Sequence, residues 1–139
     1  MIRVVIDTNV FLSAFATRQG TASQAIDLAV EQGIVIASDE TYAELAAKLA
    51  SSRFALKLGT EDQRMEYLGM VGTLLSFVDV TSIATASPDP KDNMFLALAV
   101  DGRATCIVSG DKKHLLALGS YQGVPILSPA DFLSTYRPA

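Results

Sequence analysis

Met1-Ile2-Arg3-Val4-Val5-Ile6-Asp7-Thr8-Asn9 opens the chain, and its reading decides the fold. Ile2, Val4, Val5 and Ile6 are β-branched and aliphatic, the composition of a strand buried on both faces. The run stops at Asp7, and Thr8 and Asn9 are both suitable caps for a helix starting at Val10. A strand that delivers a carboxylate to its C-terminal end and turns at once into a helix suits an open α/β sheet. Ligands in such sheets sit just beyond the carboxyl ends of the strands. The later residues are therefore read as partners for Asp7.

Working outward, strands and helices alternate. A helix from Val10 to about Phe15 precedes a polar loop at Arg18-Gln19-Gly20. Thr21 to Glu31 reads as a second helix, ended by Gly33, and Ile34 to Ala37 as a second strand. Ser38 or Asp39 caps a third helix with Tyr42, Leu45, Ala46 and Leu49 as its apolar stripe. Ser51 to Gly59 reads as irregular. Thr60-Glu61-Asp62-Gln63 has the pattern of a capping box opening a fourth helix, with Met65, Leu68, Val71, Leu74 and Leu75 inward. Phe77 to Val80 is a third strand, and Ala84 to Pro90 a loop broken by Pro88 and Pro90. Asp92 or its neighbour opens a helix over Met94 to Val100, ended by Gly102. Thr105 to Val108 is a fourth strand, closed by Ser109-Gly110-Asp111. A short helix through Leu115 and Leu116 follows. Val124 to Leu127 forms a last strand, placed at an edge by its proline, and Pro129 starts a final helix. This alternation calls for an α/β fold, a mostly parallel sheet with helices on both faces.

The totals suit one domain over residues 1–139, long enough to bury a core. Half of the residues are hydrophobic, which points to apolar surface covered by another subunit or a partner. Apolar stretches are short and interrupted, so a membrane span is not expected, nor is a cleaved leader. The single cysteine, Cys106, lies in an aliphatic run and reads as core filler; without a second cysteine a reducing cytoplasm is the expected location. Eleven Lys and Arg against fifteen Asp and Glu give a net charge of −4. That argues against gripping nucleic acid by bulk charge. It leaves open an enzyme that meets a phosphodiester through metal ions.

Asp7 and Asp111 both follow strands, and Asp92 opens a helix. In a parallel sheet all three lie on one edge, where like charges are costly unless a cation neutralises them. With one histidine and no cysteine pair, a hard divalent ion such as Mg²⁺ or Mn²⁺ is favoured over Zn²⁺. Each acid taken alone also stands where a helix cap stands. Their convergence favours the metal reading. Glu44 is not decided by pattern, since on a helical wheel it lies beside Glu40 and Lys48 as a solvated face would.

These residues carry a resemblance. Val4-Val5-Ile6-Asp7-Thr8-Asn9-Val10, Ser38 with Glu44-Leu45, and Asp89 through Ala99 resemble successive motifs of the PIN-domain nucleases. Val108-Ser109-Gly110-Asp111 resembles the family's fourth motif, and Val124 to Pro129 with Phe132-Leu133 its ending. The match is nearest to the bacterial PIN-family toxins of toxin–antitoxin systems (VapC-like). Asn93 and Lys113 depart from it, standing where relatives often carry a further acid.

The resemblance implies a PIN-like three-layer α/β/α sandwich with a central, mostly parallel sheet of four to five strands. It implies that Asp7, Glu44, Asp92 and Asp111 ligate one or two Mg²⁺ or Mn²⁺ ions. These would activate water for in-line attack on RNA phosphorus, leaving a 5′-phosphate and a 3′-hydroxyl. Thr8, Asn9 and Ser109 would hold the carboxylates, and Lys91, Lys112 and Lys113 would guide phosphates. An antitoxin chain and a homodimer or higher homo-oligomer are the expected partners. His114 reads as structural or surface, because no Ser or Cys signal pairs with it.

Other readings fit less well. A haloacid-dehalogenase-like phosphatase needs an acid where Asn9 stands. A receiver domain needs paired acids after its first strand and a lysine where Leu127 and Ser128 stand. A non-catalytic PIN-like module binding RNA or protein, or a housekeeping RNA-processing nuclease, are the alternatives to a toxin.

Overall fold

In the computed structural model the sequence pattern resolves into six strands and seven α-helices among the described residues, which are 1–51, 53 and 58–138. They are β1 (Ile2–Ile6), α1 (Thr8–Ala16), α2 (Thr21–Gln32), β2 (Gly33–Ala37), α3 (Asp39–Ala50), α4 (Glu61–Leu74) and β3 (Leu75–Phe77). A 3₁₀ turn (Pro90–Asp92) leads into α5 (Asn93–Asp101) and β4 (Cys106–Val108). After α6 (Leu115–Leu118) come β5 (Ser120–Tyr121), β6 (Val124–Leu127) and α7 (Pro129–Tyr136). The irregular stretch expected between Ser51 and Gly59 lies largely outside the described residues.

The sheet runs β3-β2-β1-β4-β6-β5, with every pair parallel except β5 with β6. The chain leaves β1 toward β2 and β3, then crosses back to β4 and β6. The direction of winding therefore switches between β1 and β4, the place where an open α/β sheet leaves a crevice at its carboxyl edge.

The alternation within β1 sets the layers. Val4 and Ile6 join a core with Leu12, Ala29, Leu45, Val71 and Phe132, contributed by α1, α2, α3, α4 and α7. Val5 faces the other way, into a core with Ile36, Leu96, Leu98, Ile107 and Leu115 on the side of α5 and α6. A strand between two helical layers must be apolar on both faces, as this one is. The close start of β1 and β2 depends on Gly33, where a Cβ would lie 2.0 Å from the Ile2 carbonyl oxygen.

Several expectations shift. Asp7 itself, not Thr8 or Asn9, caps α1, so that helix begins earlier than Val10. Ser38 forms a reciprocal capping box with Thr41, and Thr60 one with Gln63. In α4, Val71 is buried and Met65 and Leu68 pack half-buried against the same core, as expected. Leu74 is 37 % exposed, and Leu75 is drawn out of the helix to pair with Val35 in β3. β6 is not an edge strand. Gln122 and Gly123, both with positive φ, fold a tight hairpin that lays β5 outside it and makes a sixth strand beyond the four to five expected. Cys106 is fully buried, as core filler should be.

Candidate metal centre

The parallel register of β1 and β4 pairs Ile6 with Val108, so the next residues on each strand, Asp7 and Ser109, emerge side by side. Asp7 is 4 % exposed. Its Oδ1 accepts from the Val10 amide at 3.1 Å, and its Oδ2 accepts from the Ser109 hydroxyl. Burial pushes the Asp7 carboxyl above its ordinary value; the Ser109 and Val10 donors oppose this, and the charge of Asp111 adds to it. Thr8 is buried, with a hydroxyl that has no hydrogen-bond partner among the described residues. Asn9 is exposed at the mouth of the same cleft.

Beyond β4 the chain turns back on itself. The fully buried Ser109 accepts from the Asp111 amide at 3.0 Å while donating to Asp7. Asp111 Oδ1 accepts from the amides of Lys113 (3.1 Å) and His114 (3.2 Å), and His114 Nδ1 lies 3.1 Å from Oδ2. Partial burial pushes the Asp111 carboxyl up. Its hydrogen bonds with Asp92, His114 and the Lys113 amide outweigh that and hold it below its ordinary value.

Asp92 arrives from the opposite strand-to-helix connection. Asp89 caps the 3₁₀ turn by accepting from the Lys91 amide at 3.0 Å, whereas the Asp92 side chain caps nothing. Asp92 Oδ2 is buried, and no N–H or hydroxyl group of the described residues donates to Asp92, so hydrogen bonding with Asp111 requires a proton on one of the two acids. Burial, then hydrogen bonding with Asp111, then the charges of Asp111, Asp89 and Asp7 push its carboxyl up to about 7. Asn93, in place of a further acid, anchors the preceding loop by accepting from the Ser87 amide at 2.8 Å. Phe95 is buried one turn on.

Glu44 comes from α3. The wheel put it toward solvent, yet it is half-buried and lines the cleft with Asp7, Asp92 and Asp111. Lys48 and Lys91 line it too. Lys112 and Lys113 stand exposed on the turn after Asp111 and are not among the lining residues. Two lining residues, Asp89 and Lys48, were not singled out from sequence, and His114, read there as structural or surface, stands beside Asp92 and Asp111 without being among the lining residues. Asp89 and His114 each stand three residues from a motif acid, a spacing that returns a side chain to the same side of a turn. That signal was available. One ligand atom from each of Asp89, Asp92 and His114 lies within 4.8 Å of the others.

The donor set fits a divalent cation. A buried carboxylate oxygen without an N–H or hydroxyl donor and several converging acids are expensive without positive charge, and oxygen donors suit hard ions.

Fold and cleft together define an α/β/α protein with an acidic crevice at the switch point of its sheet. Residues 3–113 match the model of the PIN domain, and the chain belongs to that family, a family of nucleases. The uncharacterized protein MJ1680 of Methanocaldococcus jannaschii is 31 % identical over 112 residues, covering 80 % of this chain and 72 % of that protein. The fold is also that of VapBC2 from Rickettsia felis, solved bound to a DNA fragment from their promoter. There the TM-score is 0.67 at 12 % identity, over 91 % of this chain and 98 % of that one.

Proposed function

We propose that this chain is a metal-dependent endoribonuclease acting as the toxin of a toxin–antitoxin pair. The observation that carries the reading is the convergence of Asp7, Glu44, Asp92 and Asp111 on one cleft. A module that only binds RNA has no need to keep four carboxylates turned toward a polyanion.

Asp7, Asp92, Asp111 and Glu44 would hold one or two Mg²⁺ or Mn²⁺ ions. Such an ion, when bound, activates water and braces a phosphodiester oxygen. Asp7 is fixed by two donors, and the shared Ser109 hydroxyl sets the position of Asp111 against it. Thr8 and Asn9 line the cleft beside it. Lys91 and Lys48 supply positive charge among the acids, and Lys112 and Lys113 add it at the approach, so that an RNA phosphate meets a mixed field.

The toxin role draws on the likeness to the VapBC2 structure. It also draws on a groove beside α1, α2 and α4, lined by Phe15, Ile26, Tyr67 and Met70, with Met70 48 % exposed. An antitoxin segment or a second copy of the chain would cover that surface. No helix among the described residues is long and apolar enough to cross a membrane. We place the activity in the cytoplasm and in one domain.

The test is incubation of a mixed RNA pool with the wild type and Asp7→Asn, in Mn²⁺ and in EDTA. Cleavage to 5′-phosphate ends by the wild type in Mn²⁺ alone is expected. Intact RNA in Mn²⁺, or equal cleavage in EDTA, would overturn the nuclease reading.

A further inference from the structure

One side chain that lies against two of the cleft's acids belongs to none of the four acidic motifs. His114 stands on the turn between Asp111 and α6, about one-third exposed. Its Nδ1 is 3.1 Å from Asp111 Oδ2 and 3.8 Å from Asp92 Oδ2. The second of these oxygens is the buried one that receives no N–H or hydroxyl donor from the described residues. The Thr8 hydroxyl, 3 % exposed and likewise without a partner, lines the same cleft.

The spacing is informative. Two adjacent donors on one six-coordinate ion, each about 2.1 Å from it, stand about 3.0 Å apart, and two donors on a tetrahedral ion about 3.4 Å apart. The 3.1 Å gap from Nδ1 to Asp111 Oδ2 is of that size, and the 3.8 Å gap to Asp92 Oδ2 lies between it and the roughly 4.2 Å that separates opposite donors of a six-coordinate ion. Asp89 completes a set within 4.8 Å.

We propose that His114 is a ligand of the ion bound in this cleft, beside Asp92 and Asp89. Its nitrogen turns the site from Mg²⁺ toward a first-row transition ion of the Fe²⁺, Co²⁺ or Ni²⁺ kind. The inference rests on the reading of the cleft as a divalent-cation site. An all-oxygen set suits Mg²⁺, whereas an imidazole donor favours the later ions of the row. With an ion held there, Nδ1 would face the ion in place of its direct contact with Asp111. To serve as a ligand the ring would carry its hydrogen on Nε2, leaving the Nδ1 lone pair for the ion.

His114 is the only histidine in the chain, which makes the test unambiguous. Tag-free protein is loaded with Mn²⁺ and measured by pulsed electron paramagnetic resonance. Modulation from a directly bound imidazole nitrogen can then come from His114 alone. In parallel, Co²⁺ and Mg²⁺ are titrated calorimetrically into wild type, His114→Gln and Asp7→Asn. We expect the nitrogen signal in wild type and its loss in His114→Gln. The variant should also lose about tenfold or more in Co²⁺ affinity, with Mg²⁺ affinity within about twofold. Metal bound by wild type without a nitrogen signal would overturn the inference alone and leave His114 as a residue that orients Asp111. If wild type binds neither ion, or Asp7→Asn binds both as well as wild type, the cation reading falls and this inference with it.

Discussion

Ser109 ties Asp7 to Asp111. Its hydroxyl donates to Asp7 Oδ2 and accepts from the Asp111 amide at 3.0 Å, so one buried oxygen sets the spacing of two acids that are far apart in sequence. The contact spans the seam between β1 and β4 and depends on their register.

Ser109→Ala should therefore lower stability by about 1–3 kcal/mol, because it leaves a buried carboxylate oxygen and an amide short of a partner. Divalent-ion affinity should fall as well, by roughly 10–100-fold, since the carboxylates lose their alignment. Urea unfolding in EDTA and a metal titration would check both effects. Wild-type values in the two experiments would show that the seam contact has no energetic weight.

Asp92→Asn separates a metal ligand from a helix cap. The Asp92 side chain caps nothing, and it faces Asp111, Asp89 and Asp7. In EDTA the substitution should stabilise the fold by about 1 kcal/mol, through relief of repulsion. In saturating Mg²⁺ or Mn²⁺ the order should reverse, because wild type gains binding free energy that the variant loses. Thermal melting of both proteins in both buffers measures this. A variant that melts below wild type by the same margin in each would point to an ordinary structural aspartate.

The same residue gives metal-free protein a pH dependence of defined sign. The folded-state carboxyl of Asp92 is raised to about 7 from an ordinary 3.8, and that of Asp7 is raised as well. A raised carboxyl favours folding when protonated. Its contribution is fully present below the unfolded value and is lost as pH rises through the folded one. Relative to Asp92→Asn, wild type in EDTA should therefore lose stability steadily from about pH 4 to about pH 7 and change little above that. Asp111, held low by its donors, opposes part of this slope, so the pair titrates jointly. A stability difference that is flat across this range would rule out mutual repulsion between Asp92 and its neighbouring acids.

The lysines divide by position. Lys48 and Lys91 line the cleft, while Lys112 and Lys113 are exposed on the turn beside it. Replacing Lys48 and Lys91 together with Ala should raise KM for RNA and flatten its salt dependence, with kcat less affected. The Lys112→Ala, Lys113→Ala pair should shift KM in the same direction by less. Steady-state kinetics at several ionic strengths would rank them, and an unchanged KM in both double variants would make all four ordinary surface lysines.

Tyr67 tests the packing that supports this edge. Its hydroxyl donates to the Phe11 carbonyl at 2.7 Å, and its ring stacks on Phe15 with centroids 4.5 Å apart, joining α4 to α1, the helix that Asp7 caps. Tyr67→Phe should cost about 1 kcal/mol, the usual net value of one such bond. Equilibrium unfolding measures it, and no loss would mean that water serves the carbonyl equally well.

Much of this protein was determined by local sequence. The β-branched run ending at Asp7 could only be a central strand, because its alternate residues are apolar on both sides. The capping boxes at Ser38 and Thr60 mark element boundaries through chemistry that acts within a few residues. Tertiary structure decided the rest. Glu44 lies on a face that a helical wheel assigns to water, and it joins the cleft because α3 packs beside α1 and α5. The Gln122–Gly123 hairpin lacks the usual asparagine or aspartate signal, so the outer strand was not legible. His114 looked idle because its partners, Asp92 and Asp111, come from different connections, and only the β1–β4 switch brings them within reach of one ring. Hydrogen bonds and burial within a turn are short-range and leave a trace in sequence. The meeting of charges from separate strands is set by the register and packing of the whole sheet.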